Sequence, residues 1–264
     1  MKVIALFGDG ANQRALAHRI HQSVPISHVA RIQLQPKGKR KLVRSAVSLT
    51  LARSLRSAWR MMDQHYSESF PDWPAIPSSI YTSANSAELI ATIERERPDL
   101  VLVSGTDLLR RPTLDAFAAA KIMNLHTGIS PYIKGGPNCT NWALALNEPD
   151  LIGSTIMWID SGIDTGSIIT TERAPLTGRE GLAELHIKVM DHAHQLYRRA
   201  VEAFAAGRAL PSVPQATIER GRLFLAREWN STSLVRAVLN HRFRYRPFKL
   251  RPEIKLIALD SSSL

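Results

Sequence analysis

One cysteine, Cys139, is all the thiol chemistry this 264-residue chain carries. A single cysteine excludes an intrachain disulfide and agrees with a reducing cytoplasm. No run reaches the roughly 18 apolar residues that span a bilayer. The N-terminus has no separate charged region and cleavage site; Lys2-Val3-Ile4-Ala5-Leu6-Phe7 enters a strand pattern at once. That argues against a signal peptide and places the expected home of the chain in the cytoplasm, at most peripheral to a membrane. No internal repeat and no low-complexity tract is present. The hydrophobic fraction of 44% is that of an ordinary globular chain with a real core.

Acidic residues are missing from one long stretch. After Asp9 none occurs until Asp63, while Lys37, Lys39, Arg40, Lys41, Arg44, Arg53, Arg56 and Arg60 fall between them. Net charge is +11. A second basic cluster, Arg242, Arg244, Arg246, Lys249 and Arg251, is interleaved with Phe243, Tyr245 and Phe248. Such asymmetry attracts phosphorylated molecules, nucleic acid or anionic lipid, unless it is merely a solvated basic face. Leu42, Val43, Val47, Leu51, Leu55, Trp59 and Met62 recur at helical spacing. The segment 37–66 therefore reads as a basic helical insertion outside the catalytic core. Its apolar stripe either packs on the domain or lies on an anionic membrane surface.

A nicotinamide dinucleotide site is also missing its parts. The turn Gly8-Asp9-Gly10-Ala11-Asn12 follows the first strand and opens a helix, an arrangement whose free amides can cradle phosphate. The third glycine of the dinucleotide fingerprint is Gln13, and no acidic residue stands about 20 positions on.

What is present is α/β alternation, with buried-type strands such as Leu100 to Ser104. Leu182 to Phe204 keeps helical spacing throughout and predicts a long amphipathic helix. Two strands end in polar loops: Asn124-Leu125-His126, and Asp160-Ser161-Gly162-Ile163-Asp164-Thr165-Gly166. Strand ends are where open α/β sheets keep their functional groups. An imidazole beside a carboxylate moves protons near neutral pH, and a side-chain amide can hold an oxyanion. The intended trio is Asn124, His126 and Asp164, which suits acyl transfer without a covalent intermediate. Asp191, His192 and His194 are metal-capable, but residues two apart on a helix diverge, so no metal is expected.

Asn124-x-His126, Pro131, Lys134-Gly135-Gly136-Pro137 and Gly162-Ile163-Asp164-Thr165-Gly166 together resemble the folate-dependent formyltransferases. The resemblance covers about Met1 to Gly207. It implies a doubly wound, mostly parallel α/β sheet, a Rossmann variant. It also implies catalysis by Asn124, His126 and Asp164 with 10-formyltetrahydrofolate as donor. Donor contacts are expected at Asp107, Leu108, Leu109 and Arg110 and at Asp160, Ser161 and Gly162. Acceptor contacts are expected at Gly8, Gly10, Asn12, Thr127, Gly128 and Lys134. The family's Pro-Ser-Leu-Leu-Pro after the histidine reads Thr127-Gly128-Ile129-Ser130-Pro131 here, so the acceptor site departs from the familiar pattern.

The expected layout is a catalytic domain over 1–210 and a small C-terminal extension over 211–264, marked off by Pro211 to Pro214. That extension looks too short for the barrel domain of the methionyl-tRNA enzymes. The expected reaction is formyl transfer to a small phosphorylated amine, a nucleotide-linked amino sugar by preference, with no specific nucleic acid partner. Alternatives are glycinamide ribonucleotide formylation, hydrolysis of the formyl donor, and a basic binding protein on the same fold. The oligomeric state is not legible in the sequence.

Overall fold

The computed structural model describes residues 1–34, 46–136, 138–160 and 162–260. Ser161 and the basic residues Lys37, Lys39, Arg40, Lys41 and Arg44 lie outside them, so the parts of the sequence reading that rest on these side chains cannot be placed.

Seven strands form one sheet. They are β1 (Val3–Gly8), β2 (His28–Ile32), β3 (Ser78–Tyr81), β4 (Leu100–Ser104), β5 (Lys121–His126), β7 (Gly153–Trp158) and β8 (Ile168–Arg173). Their order is β3-β2-β1-β4-β5-β7-β8. The first five run parallel; β7 is antiparallel to β5, and β8 antiparallel to β7. All six residues of β1 and all five of β4 are buried, because helices cover both faces of the central strands. After β3 the chain returns past β1 to lay β4 on its other side. The strand order reverses between β1 and β4, and open sheets bind ligands at such a point. The architecture is the doubly wound, mostly parallel α/β sheet expected from the sequence.

On one face α1 (Ala11–His21) and α6 (Leu182–Ala205) pack through Leu16, Ile20, Leu196 and Tyr197 onto Phe7, Leu102 and Met123. On the other, α3 (Ala87–Glu96) and α4 (Arg111–Ala116) cover Leu6, Val101 and Val103. Tyr197 is fully buried, and its hydroxyl donates to Met123 O at 2.5 Å while accepting from Val103 N at 2.9 Å. It ties β4 to β5 one residue before Asn124.

The helix α2 (Ala46–Ser69) corrects one expectation. It lies in the crossover between the parallel neighbours β2 and β3 and packs onto the core rather than outside it. Met62 and Tyr66 are buried against Ala11 and Ala15 of α1 and Ile187 and Met190 of α6. Leu55 packs with Leu234 and Val238 of α7 (Ser231–Phe243). The described part of the apolar stripe, Leu51 to Met62, is thus covered by protein, and Leu42, Val43 and the Val47 side chain lie outside the described residues. Among the described residues no helix is long and apolar enough to cross a membrane.

The segment beyond 210 returns to the body of the molecule. The short strand β9 (Leu223–Phe224) pairs in parallel with β6 (Lys134–Gly135). Ala237 of α7, with Tyr245 and Ile254, joins one core with Ile133, Trp142 of α5 (Cys139–Leu146) and Leu185. Arg251 adds a fork onto Asp150, at 2.6 and 3.0 Å.

Candidate active site

The C-terminal ends of β4 and β5 and the loop after β7 enclose a cleft of about 370 Å³. Asn124, His126 and Asp164 all line it, from two strand ends 40 residues apart in sequence. Asp164 sits at φ 50°, in the left-handed region that aspartate tolerates better than most residues. Its Oδ1 accepts from Asn124 Nδ2 at 3.5 Å. Its Oδ2 faces His126 Nδ1 at 3.3 Å and accepts from Gly135 N at 3.0 Å. His126 Nε2 faces Ile133 O at 3.3 Å, with Cys139 Sγ at 3.6 Å.

Both ring nitrogens of His126 therefore look at oxygen acceptors, a carboxylate and a carbonyl. Only the doubly protonated ring satisfies both. Burial is the largest single influence and works against that charge, but the Asp164 carboxylate, Cys139 and the Ile133 carbonyl together outweigh it, and His126 is pushed up to about 10. The imidazolium faces Asp164 Oδ2, whose companion oxygen accepts from Asn124. Its N–H groups are both engaged by protein. The amide of Asn124 spends one N–H on Asp164 and keeps a second for the cleft.

Gln215, which the sequence did not single out, holds this arrangement together with Lys134, Gly135 and Asp160, which it did. Gln215 is buried, and its Nε2 donates to Asp164 O and Gly166 O, both at 2.8 Å. Lys134 Nζ donates to Gln215 Oε1 at 3.3 Å. Asp160 Oδ1 accepts from Gly162 N at 2.9 Å and Thr165 Oγ1 at 2.6 Å, closing the loop on itself. Gly135 has φ 95°, and a Cβ there would lie 2.1 Å from Phe224 O, so only glycine lets its N–H reach Asp164 beside β9.

The other expected site residues divide. Asp107, Leu108, Leu109, Thr127, Asp160 and Gly162 line the cleft with the trio. Asp107 does not offer its carboxylate, which accepts from Ser83 Oγ, Ala84 N and Asn85 Nδ2 at 2.7 to 3.1 Å. Burial would raise its pKa, but these hydrogen bonds outweigh it and hold it below the ordinary carboxylate range. Arg110 is outside the cleft, with its N–H on Asn85 Oδ1. Gly128 is outside too; it packs on His126, where a Cβ would stand 2.6 Å from Nε2. Lys134 faces an adjoining pocket beyond the loop. Gly8 ends β1 beside Gly105, Gly10 and Asn12 stand at the start of α1, and none of the three lines the cleft. Asn12 instead donates to Met190 Sδ, and Gly10 caps α1 without any side-chain hydrogen bond. Asp191 and His194 meet Arg19, whereas His192 faces Glu172.

A family model described as formyl transferase matches residues 1–201. The chain belongs to the formyl transferase family. The methionyl-tRNA formyltransferase of Methylacidiphilum infernorum is 27% identical over 143 residues, 54% of this chain and 42% of that protein. The chain thus spans less than half the length of that curated relative. Phosphoribosylglycinamide formyltransferase from Anaplasma phagocytophilum superposes with a TM-score of 0.56 at 19% identity, over 86% of this chain and 98% of that one. The N-formyltransferase of Helicobacter canadensis, in complex with folinic acid and dTDP-3-aminofucose, gives a TM-score of 0.53 at 16% identity, over 92% and 82%. At these identities the structural likeness is one of fold.

Proposed function

We propose that this formyl transferase family member moves a formyl group from 10-formyltetrahydrofolate to the amine of a small phosphorylated acceptor, a nucleotide-linked amino sugar by preference. The observation that carries it is the meeting of Asn124, His126 and Asp164 in one cleft at the sheet's ligand-binding edge. The cleft fits a flat donor. Leu108 and Ile163, large apolar side chains left 50% and 38% exposed at its lips, offer two faces to a ring. The preference for an amino sugar rests on the fold shared over 92% of the chain with a protein solved with dTDP-3-aminofucose, and on the basic surface.

The donor supplies an activated formyl carbonyl. Asn124 Nδ2 donates to that oxygen as attack by the amine makes it an anion. Asp164 takes the proton shed by the amine nitrogen, directly or through one water, while the new C–N bond forms. The proton passes on to the departing folate nitrogen as the old C–N bond breaks. His126 stays protonated and holds Asp164 in place. Each such group is worth roughly 10²–10⁴-fold in rate.

The test is release of tetrahydrofolate from the formyl donor in the presence of single candidate amines. The panel includes a nucleotide-linked amino sugar, the same sugar without its nucleotide, and glycinamide ribonucleotide. Release that depends on the nucleotide-linked sugar supports the reading. Equal release with and without any amine assigns the cleft to hydrolysis, and release with glycinamide ribonucleotide alone reassigns the acceptor.

A further inference from the structure

A second pocket, of about 460 Å³, opens where α2, the loop before α6 and the end of α7 meet. It shares no residue with the cleft. Three guanidinium groups border it: Arg179 from the loop, Arg242 from α7, and Arg246 just beyond. None is paired with an acid among the described residues. Arg242 lies over the ring of Phe243 at 5.6 Å, and Arg246 Nη1 donates to Tyr245 O at 2.9 Å, so both are oriented without being neutralised.

The one carboxylate in the lining cannot neutralise them. The side chain of Glu180 is fully buried. It accepts from Thr177 N and Oγ1, Gly178 N, Arg179 N, Lys188 Nζ and Tyr245 OH, at 2.8 to 3.2 Å. That network fixes the floor, and the rings of His241 and Tyr245 stack on it with centroids 5.2 Å apart. His241 is kept below its ordinary pKa by burial, against the pull of the Glu180 carbonyl, so it adds a ring rather than a charge. Leu51, Leu182 and Val238 complete an apolar wall. The basic-aromatic stretch 242–251 thus splits in two: Arg251 is consumed by Asp150, whereas Arg242 and Arg246 face an open pocket.

We infer that this pocket binds a phosphate-bearing ligand with an apolar or aromatic body. Guanidinium forks match phosphate oxygens two at a time, and three forks suit a group carrying more than one charge. The ring pair and the Leu51 wall take the body. A nucleotide and an anionic lipid headgroup share this chemistry, and the experiment separates them. The inference does not depend on the proposed formyl transfer, since its readout is binding.

The protein is titrated calorimetrically with ADP and with pyrophosphate, at low and high salt. It is also sedimented with vesicles of phosphatidylglycerol or of phosphatidylcholine. The same measurements follow on Arg242→Gln/Arg246→Gln and on a control, Arg53→Gln, an exposed arginine of α2 outside the pocket. The expected result is binding of ADP, or of phosphatidylglycerol vesicles alone if the source is lipid, that falls at least tenfold in the double variant and holds in the control. Circular dichroism of both variants should match the wild type, because the arginines are exposed. No binding to any probe, or an equal loss in the control, overturns the inference.

Discussion

Replacing Asp164 with asparagine removes a charge and little else. The residue lies at φ 50°, which asparagine accepts and alanine does not, so the backbone is not strained. What is lost is the partner of a buried imidazolium. In the native chain burial lowers the pKa of His126, the carboxylate of Asp164 leads the groups that more than offset this, with Cys139 and the Ile133 carbonyl behind it, and the value reaches about 10 against 6.5 for a free histidine. A raised folded-state pKa stabilises the fold fully below pH 6.5, and that contribution is lost as pH rises through about 10. At about 1.4 kcal/mol per tenfold, the move corresponds to roughly 5 kcal/mol. The loss of one partner from a buried ion pair costs about 3–5 kcal/mol by a separate route.

Asp164→Asn should therefore unfold about 3–5 kcal/mol more easily than wild type near pH 6.5. In the variant His126 keeps Cys139 and the Ile133 carbonyl but loses its largest counterweight to burial, so its pKa falls and the slope between pH 7 and 10 shrinks. Urea midpoints measured for both proteins every half pH unit check this, since the difference curve cancels every other titrating group. The two curves should converge as the pH approaches 10. A constant gap from pH 6.5 to 10 would refute the imidazolium–carboxylate pair, and so would two coincident curves.

His126→Ala should lower turnover at least ~10²-fold, and adding Asp164→Ala should cost little more if the two act as one unit; additive losses in steady-state kinetics would separate them. Gln215→Ala frees the carbonyls of Asp164 and Gly166 and should cost about 1–3 kcal/mol of stability, with kcat falling roughly tenfold; native turnover would show that the loop holds its shape unaided. Burial would raise the pKa of Glu180, but its hydrogen bonds outweigh this and hold it well below the carboxylate range, so its stabilisation is lost as pH falls below about 4.5. Glu180→Gln should lose that acid limb in melting curves, and an unchanged limb would assign it to other groups. Met62→Ala should cost about 2–5 kcal/mol in urea unfolding, since Met62 is buried between α1 and α6; no change would mean that α2 is dispensable to the core.

The parts legible in the sequence are local. Leu100 to Ser104 reads as a buried strand because five apolar or small residues in a row fit a sheet covered on both faces, and β4 spans those five. Asn124 and His126 are legible because one strand delivers both to the same edge, two residues apart. The parts that stayed hidden depend on pairs far apart in the chain. The stripe Leu55, Met62 fixes a helix but not its cover, and both α1 and α6 turn out to lie on it. The turn Gly8 to Asn12 has the chemistry of a phosphate cradle, yet its residues stay outside the cleft that β4 and β5 open. Cys139 beside His126, and the hydroxyl of Tyr197 between β4 and β5, leave no periodic trace at all.

Gln215 is the deepest of these omissions, and the backbone of Asp164 explains why the fold needs it. A non-glycine residue in the left-handed region stores about 1–3 kcal/mol unless its surroundings over-determine it. Here they do so from four sides. Asn124 and His126 hold the carboxylate from β5, Gly135 N holds it from β6, and Gln215 holds the carbonyls of Asp164 and Gly166 from beyond residue 210. The β6–β9 pairing then fixes Gly135 through Phe224, which belongs to the same late segment. Two of the four restraints thus depend on chain that the sequence reading set aside as a small extension. The carboxylate that the sequence identifies at once is held in this geometry in part by Gln215 and Phe224, whose only signal is three-dimensional.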